Sequence, residues 1–164
     1  MYFKDDESRL LISPLADKNE LLDNIRTGRI LVNNHHDLTL AIRAHLFGVK
    51  NPEYLANDML ADAKRINSWN VGSGFNSAIK QQCKVVIIDL YNQQQKNISL
   101  NIDELSRTIV NRHENFTSGT IEKCYVVWNN KSIAIDRTFF DGFNNSKKNR
   151  PYKLKVVEEL RKLL

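Results

Sequence analysis

Apolar positions along the chain recur at two spacings, one helical and one alternating or continuous as in strands, and they predict interleaved helices and strands. Asp17-Lys18-Asn19-Glu20 opens a helical pattern with Leu21, Leu22 and Ile25 as its stripe and Gly28 as its stop. Arg29-Ile30-Leu31-Val32-Asn33 then reads as a short strand. Residues 38–47 carry apolar side chains at helical spacing, closed by Gly48, and suit a helix or an ordered loop. Two strand-like segments flank Asn57-Asp58, a pair that tolerates the positive φ of a tight hairpin turn. Counting outward from that turn pairs Ala56 with Met59, Leu55 with Leu60, Tyr54 with Ala61 and Glu53 with Asp62.

Beyond the hairpin come a Gly/Ser/Asn link over 70–74, a helix over about 75–82, and a strand over 84–91. The near-continuous apolar run of that strand is expected of a central strand covered on both faces. A polar loop over 92–97 precedes a helix capped by Asn101 or Asp103, with Ile102, Leu105, Ile109 and Val110 at helical spacing. Residues 121–128 and 132–135 form a second hairpin across Asn129-Asn130-Lys131. A basic, flexible stretch over 144–150 leads into an amphipathic helix over 151–164. This order, without an internal repeat, implies an α/β fold: one mixed central sheet flanked by helices, in a single domain over 1–164.

Composition narrows the classes. With 41% hydrophobic and 26% charged residues, the chain is an ordinary globular one. The apolar run Val85-Val86-Ile87-Ile88 stops at Asp89, far short of the ~18 residues of a membrane span. Acids at Asp5, Asp6 and Glu7 stand where a signal peptide would be basic, so no signal peptide is expected. Cys83 and Cys124 exclude a disulfide framework and a four-cysteine zinc site. A net charge of +5 is compatible with a polyanionic partner without requiring one.

The hairpin carries the candidate chemistry. Glu53 opposite Asp62 places like charges across a sheet, which is destabilising unless something such as a divalent cation offsets it. Two carboxylates offer hard oxygen ligands suited to Mg²⁺ or Mn²⁺. Strand alternation puts Lys64 on the face of Asp62. Two acids and a lysine suit metal-assisted phosphodiester cleavage, in which the metal activates water and the lysine neutralises developing charge. Spacing alone favours three solvated residues on an edge hairpin, and it is the surrounding pattern that favours a site.

Pro52-Glu53, eight intervening residues, then Asp62-Ala63-Lys64 resembles the PD-(D/E)xK nuclease signature, with Glu in place of the first Asp. The flanking elements resemble that superfamily's α-β-β-β-α-β core. Lys50-Asn51-Pro52-Glu53-Tyr54, Asn76-Ser77-Ala78-Ile79-Lys80-Gln81 and Val85-Val86-Ile87-Ile88-Asp89-Leu90 further resemble the nuclease toxin domains at the C-termini of bacterial contact-dependent growth inhibition proteins. Leu105, Arg112, Phe116 and Tyr125-Val126-Val127-Trp128-Asn129-Asn130-Lys131 fit the same pattern, so the resemblance covers about 18–136. It implies Glu53 and Asp62 as metal ligands, Lys64 as catalytic lysine and Glu20 as a helix-borne acid completing the site. It also implies a polar contribution from Asn76, Lys80 or Gln81 on the following helix. Further implications are a tRNA substrate, with DNA as the alternative, and an acidic immunity protein that occludes a basic cleft. The place of action would be the cytoplasm of a target bacterium, after delivery as part of a larger secreted or surface toxin.

Other features compete for attention. His35-His36-Asp37 looks like a metal cluster, but neighbours on a strand point to opposite faces, and a surface pair or an auxiliary contact by His36 is expected. Arg107 and His113 match the spacing of metal-independent helical ribonucleases, yet this chain is rich in strands. Arg112 could contact a phosphate. Lys147, Lys148, Arg150, Lys153 and Lys155 form either a solvated face or a phosphate-binding patch. Trp128 reads as core, whereas Trp69 could stack on a base. A non-catalytic nucleic-acid-binding module is the rival from another class.

Overall fold

The protein is described here from a computed structural model, which places residues 3–4, 9–46, 52–143 and 150–164. Eight strands form one mixed sheet: β1 (Phe3–Lys4), β2 (Leu10–Ile12), β3 (Leu40–Ile42), β4 (Tyr54–Ala56), β5 (Met59–Arg65), β6 (Val85–Asp89), β7 (Lys123–Trp128) and β8 (Lys131–Asp136). They lie side by side in sequence order. β2–β3, β5–β6 and β6–β7 pair parallel, and the other neighbours pair antiparallel. The helices are α1 (Leu21–Asn34), α2 (Gly72–Lys80), α3 (Tyr91–Gln95), α4 (Ile102–Val110), α5 (His113–Thr117) and α6 (Arg150–Arg161), with a 3₁₀ turn over Arg137–Phe140. No helix among the described residues is long and apolar enough to cross a membrane.

Strand alternation divides the core into two layers. Val85 and Ile87 of β6 join Leu31 of α1 on one face, while Val86 and Ile88 join Phe75 of α2, Ile109 of α4 and Leu160 of α6 on the other. β6 is therefore buried throughout, which is why it reads as a continuous apolar run.

The Asn57-Asp58 hairpin has the counted register, with both turn residues at positive φ, +45° and +69°. Elsewhere the structure corrects the sequence reading. Residues 29–33 are not a strand, because α1 runs through Gly28 to Asn34. Gly28 is a point of close approach: a Cβ there would lie 2.9 Å from Leu10 Cδ1 and 3.3 Å from Leu40 Cδ2. The Arg9 guanidinium then closes α1 by donating to the carbonyls of Val32, His35 and Leu38. Over the described part of 38–47, residues 38–46, neither a helix nor a plain loop forms, since Leu40–Ile42 adds β3 beside β4.

Gly72 and Gly74 belong to α2 rather than to a link, and Gly74 sits where a Cβ would meet Ile88 Cδ1 at 2.4 Å. The polar run after β6 folds as α3 over Tyr91–Gln95. Asn101 is the cap of α4, its side chain accepting from Glu104 N at 3.0 Å, and Asp103 lies inside the helix. The second hairpin turns on two residues, Asn129 and Asn130, both at positive φ, so Lys131 pairs with Trp128 inside β8. Most of the basic stretch, 144–149, lies outside the described residues.

Candidate functional site

β5 outruns β4. The last paired residue of β4 is Tyr54, opposite Ala61, whereas β5 continues to Arg65 and keeps pairing with β6 on its other side. The N–H of Ala63 therefore faces a free edge, and Glu53, the residue just before β4, satisfies it: Oε2 accepts from Ala63 N at 3.0 Å. Past this end of the hairpin opens a cleft of about 340 Å³, lined by the start of α1, the end of α2 and the ends of β5 and β6.

Glu20, Glu53, Asp62 and Lys64 all line this cleft. Asp62 is buried, 2% exposed, with its carboxylate fixed by two neutral donors. Ser77 Oγ donates to Oδ2 at 2.7 Å and Gln81 Nε2 to Oδ1 at 2.8 Å. Ser77 and Gln81 are four residues apart, so they rise from one face of α2. Gly74, one turn earlier on that helix, lets it approach: its absent Cβ would stand 3.5 Å from Lys64 Cβ. Lys64 is exposed and has no hydrogen bond or ion pair among the described residues.

Glu53 and Asp62 are two acids in close contact, and no described cation forms an ion pair with either. Burial first, and the charge of Asp62 second, push the Glu53 carboxyl up to about 8. The same environment pushes the buried Cys83 thiol up to about 12, burial again leading and Asp62 and Glu53 adding, so this thiol is inert at neutral pH. Five carboxylates, Glu20, Asp23, Glu53, Asp62 and Asp89, line the cleft against two cations, Lys64 and Arg65. The expected basic cleft is thus acidic. Arg65 is itself paired with Asp23 at 3.0 Å across the mouth.

Asp89 is the acid the sequence reading missed, because it entered only as the residue that stops the β6 run. It is 2% exposed and ties β6 to α1, accepting from Arg26 Nη2 at 2.7 Å and Thr27 Oγ1 at 2.8 Å. Its other oxygen accepts from Tyr91 N at 3.0 Å, while the Arg26 guanidinium stacks 3.9 Å from the Tyr91 ring centre. The signal available was an acid ending a wholly buried strand.

Other expected site residues lie apart. Of the three polar residues expected after the hairpin, Gln81 lines the cleft beside Ser77, whereas Asn76 and Lys80 are exposed on α2 and do not. Arg112 is committed internally, donating to Gly72 O at 3.2 Å and lying 6.0 Å over Phe75. That contact supports the first turn of α2. Lys147 and Lys148 lie outside the described residues. His36 is exposed on the turn after α1, and His35 packs on Tyr125 and shares a hydrogen bond with Ser132 Oγ at 3.0 Å. Arg107 pairs with Glu104 on α4, whereas His113 opens α5 against Phe143, ring centres 3.8 Å apart. Trp69 is partly buried against Trp128, with centroids 5.9 Å apart.

Among the described residues, no group of three His, Cys, Asp or Glu side chains is gathered closely enough to hold a metal by itself. The donor set nevertheless fits one kind of ion. Glu53 and Asp62 are oxygen donors without a cationic partner among the described residues, and Mg²⁺ is commonly held by one or two carboxylates, with waters and substrate phosphate completing its shell.

No protein-family model and no curated protein matches this chain. Among solved structures it is similar to a chain of a CdiA-CT/CdiI toxin and immunity complex from Burkholderia pseudomallei, at 17% identity and a TM-score of 0.49, over 76% of this chain and 92% of that one.

Proposed function

We propose that this chain is a metal-dependent endonuclease of PD-(D/E)xK type that hydrolyses RNA phosphodiesters, tRNA first, as the toxin domain of a contact-dependent growth inhibition system with a cognate immunity partner. DNA is the alternative substrate. The observation that carries the reaction is the convergence of Glu53, Asp62 and Lys64 at the open end of one hairpin, with the two acids uncompensated by any described cation. The toxin assignment is supported by the residue stretches quoted above.

Glu53 and Asp62 would hold the ion, and Glu20, exposed at the mouth, would add a third oxygen donor or orient a water. A bound Mg²⁺ or Mn²⁺ would polarise the phosphate and lower the pKa of its water. Ser77 and Gln81 keep the Asp62 carboxylate from rotating, which preserves the ligand geometry between turnovers. The Lys64 ammonium, without another partner among the described residues, is available to orient the attacking water or to neutralise charge on the phosphate.

The test is incubation of the purified chain with total tRNA and with plasmid DNA, each with Mg²⁺, Mn²⁺ or EDTA, beside Asp62→Ala. Discrete tRNA fragments that require metal and vanish in the variant are expected. DNA nicking with the same dependence keeps the site and changes the substrate. Cleavage in excess EDTA moves the chemistry away from Glu53 and Asp62. No cleavage by folded protein leaves the non-catalytic binding module.

A further inference from the structure

Because the cleft is acidic, an acidic partner finds no complementary charge there. A separate groove of about 620 Å³ lies where α4 and α6 pack together, and three cations, Arg107, Arg150 and Lys153, line it against one acid, Asp103. From α6, Arg150, Lys153, Leu154 and Val157 line it, at the i, i+3, i+4, i+7 spacing of a single helix face. From α4, Asp103, Arg107 and Val110 line it, again along one helix face. The groove and the cleft share no lining residue.

The lining is aliphatic at its floor and cationic at its rim. Leu154 is 53% exposed although apolar, above the buried Val110 and the half-buried Val157. Two rim cations already hold carboxylates: Lys153 Nζ lies 2.7 Å from Asp103 and Arg107 Nη2 2.8 Å from Glu104. The Lys153 ammonium holds the Asp103 carboxyl below its usual range. Exposed pairs of this kind contribute little to stability, and Arg150 is a rim cation with no ion pair among the described residues, so it is the first to be met by a partner's carboxylate. Among the described residues no aromatic side chain lines the groove for bases to stack on, so a nucleic acid would be met by the rim cations alone, whereas the exposed Leu154 calls for an apolar partner.

We infer that the α4–α6 groove is a docking site for an acidic amphipathic helix of a partner protein, whose apolar side chains cover Leu154 and Val157 and whose carboxylates meet Arg107, Arg150 and Lys153. A partner held there leaves the acidic cleft open. The inference rests on the groove alone and stands or falls apart from the nuclease reading.

The experiment titrates the full-length ¹⁵N-labelled chain with three probes: a helical peptide with leucines on one face and glutamates on its flanks, the same peptide with serine for leucine, and total tRNA. The leucine peptide is expected to shift the amide signals of Val110, Leu154 and Val157 saturably while Asp62, Ser77 and Gln81 stay still. The serine peptide should bind at least ~10-fold more weakly. Arg107→Glu with Arg150→Glu, and separately Leu154→Asp, should each weaken the leucine peptide ~10-fold or more. All three side chains are exposed, and unchanged circular dichroism establishes that the variants fold. Equal binding of the two peptides, groove shifts driven more strongly by tRNA, shifts confined to another surface, or a leucine-peptide Kd above about 1 mM each overturns the inference.

Discussion

Ser77 and Gln81 each donate to a different oxygen of Asp62, so removing one donor acts on a buried carboxylate rather than on a solvated one. Ser77→Ala is expected to cost about 1–3 kcal/mol, the penalty of an unsatisfied buried acceptor, measured by urea denaturation. It should also raise the Mn²⁺ concentration for half-maximal cleavage ~10-fold, as loss of an orienting partner does at metal sites. Glu53 makes a prediction of opposite sign. Its carboxyl is raised from 4.5 to about 8, so the folded state holds a proton that the unfolded chain releases. In EDTA, the stability Glu53 contributes is full below pH 4.5 and is lost as pH rises through about 8. Glu53→Gln removes this titration. Relative to the parent, the variant should therefore gain stability between about pH 5 and 8, by an amount on the order of 1–3 kcal/mol, and show no gain at pH 4. Thermal melts in EDTA across that range decide it, and a pH-independent difference would refute the assigned burial.

At the scale of elements, the close contact of α2 with the sheet positions Asp62 and Lys64 together, and Gly74 is its pivot. Alanine there would place Cβ 2.4 Å from Ile88 Cδ1, so the buried Ile88 side chain has to repack. Gly74→Ala should thus destabilise by about 1–3 kcal/mol in spite of the ~1 kcal/mol that alanine gains in helix propensity. Ser73→Ala, one residue earlier and exposed, should be neutral or slightly stabilising in the same denaturation series. The two glycines that misled the sequence reading share this cause. Gly28 and Gly74 read locally as a stop and a link, but each lies inside a helix where a second element presses on the backbone. That information is tertiary, held by Leu10, Leu40 and Ile88, and no local pattern contains it. The hairpin was legible because its determinants are local: two residues at positive φ and a fixed count outward. Glu53, Asp62 and Lys64 follow from that count, and so their meeting in one cleft was legible too. Ser77 and Asp89 were not, since their roles depend on how α2 and α1 lie across β5 and β6, and Gln81 was reached only as one of three alternatives implied by the family resemblance.

The whole molecule separates its charges, and this bears on how it would meet a polyanion. The chain carries +5 overall, yet five acids line the cleft against two cations. Even with Glu53 protonated below about 8 and Asp89 paired with Arg26, the remaining acids outnumber the cations, so the positive charge is carried elsewhere. A phosphodiester entering the metal-free cleft meets repulsion, whereas a divalent ion between Glu53 and Asp62 would remove much of it. Lys64→Ala, slowed in cleavage under the nuclease reading, isolates this effect as binding. Its affinity for tRNA at fixed ionic strength should rise ~10-fold or more between EDTA and millimolar Mn²⁺, read by fluorescence anisotropy. Adding Glu53→Gln and Asp62→Asn should abolish that metal increment. The salt slope of the remaining binding should persist, because it belongs to basic residues outside the cleft. If Mn²⁺ leaves the affinity of Lys64→Ala unchanged, the cleft does not engage the phosphodiester. The nucleic acid would then be held wholly by the basic surface, as a non-catalytic binding module requires.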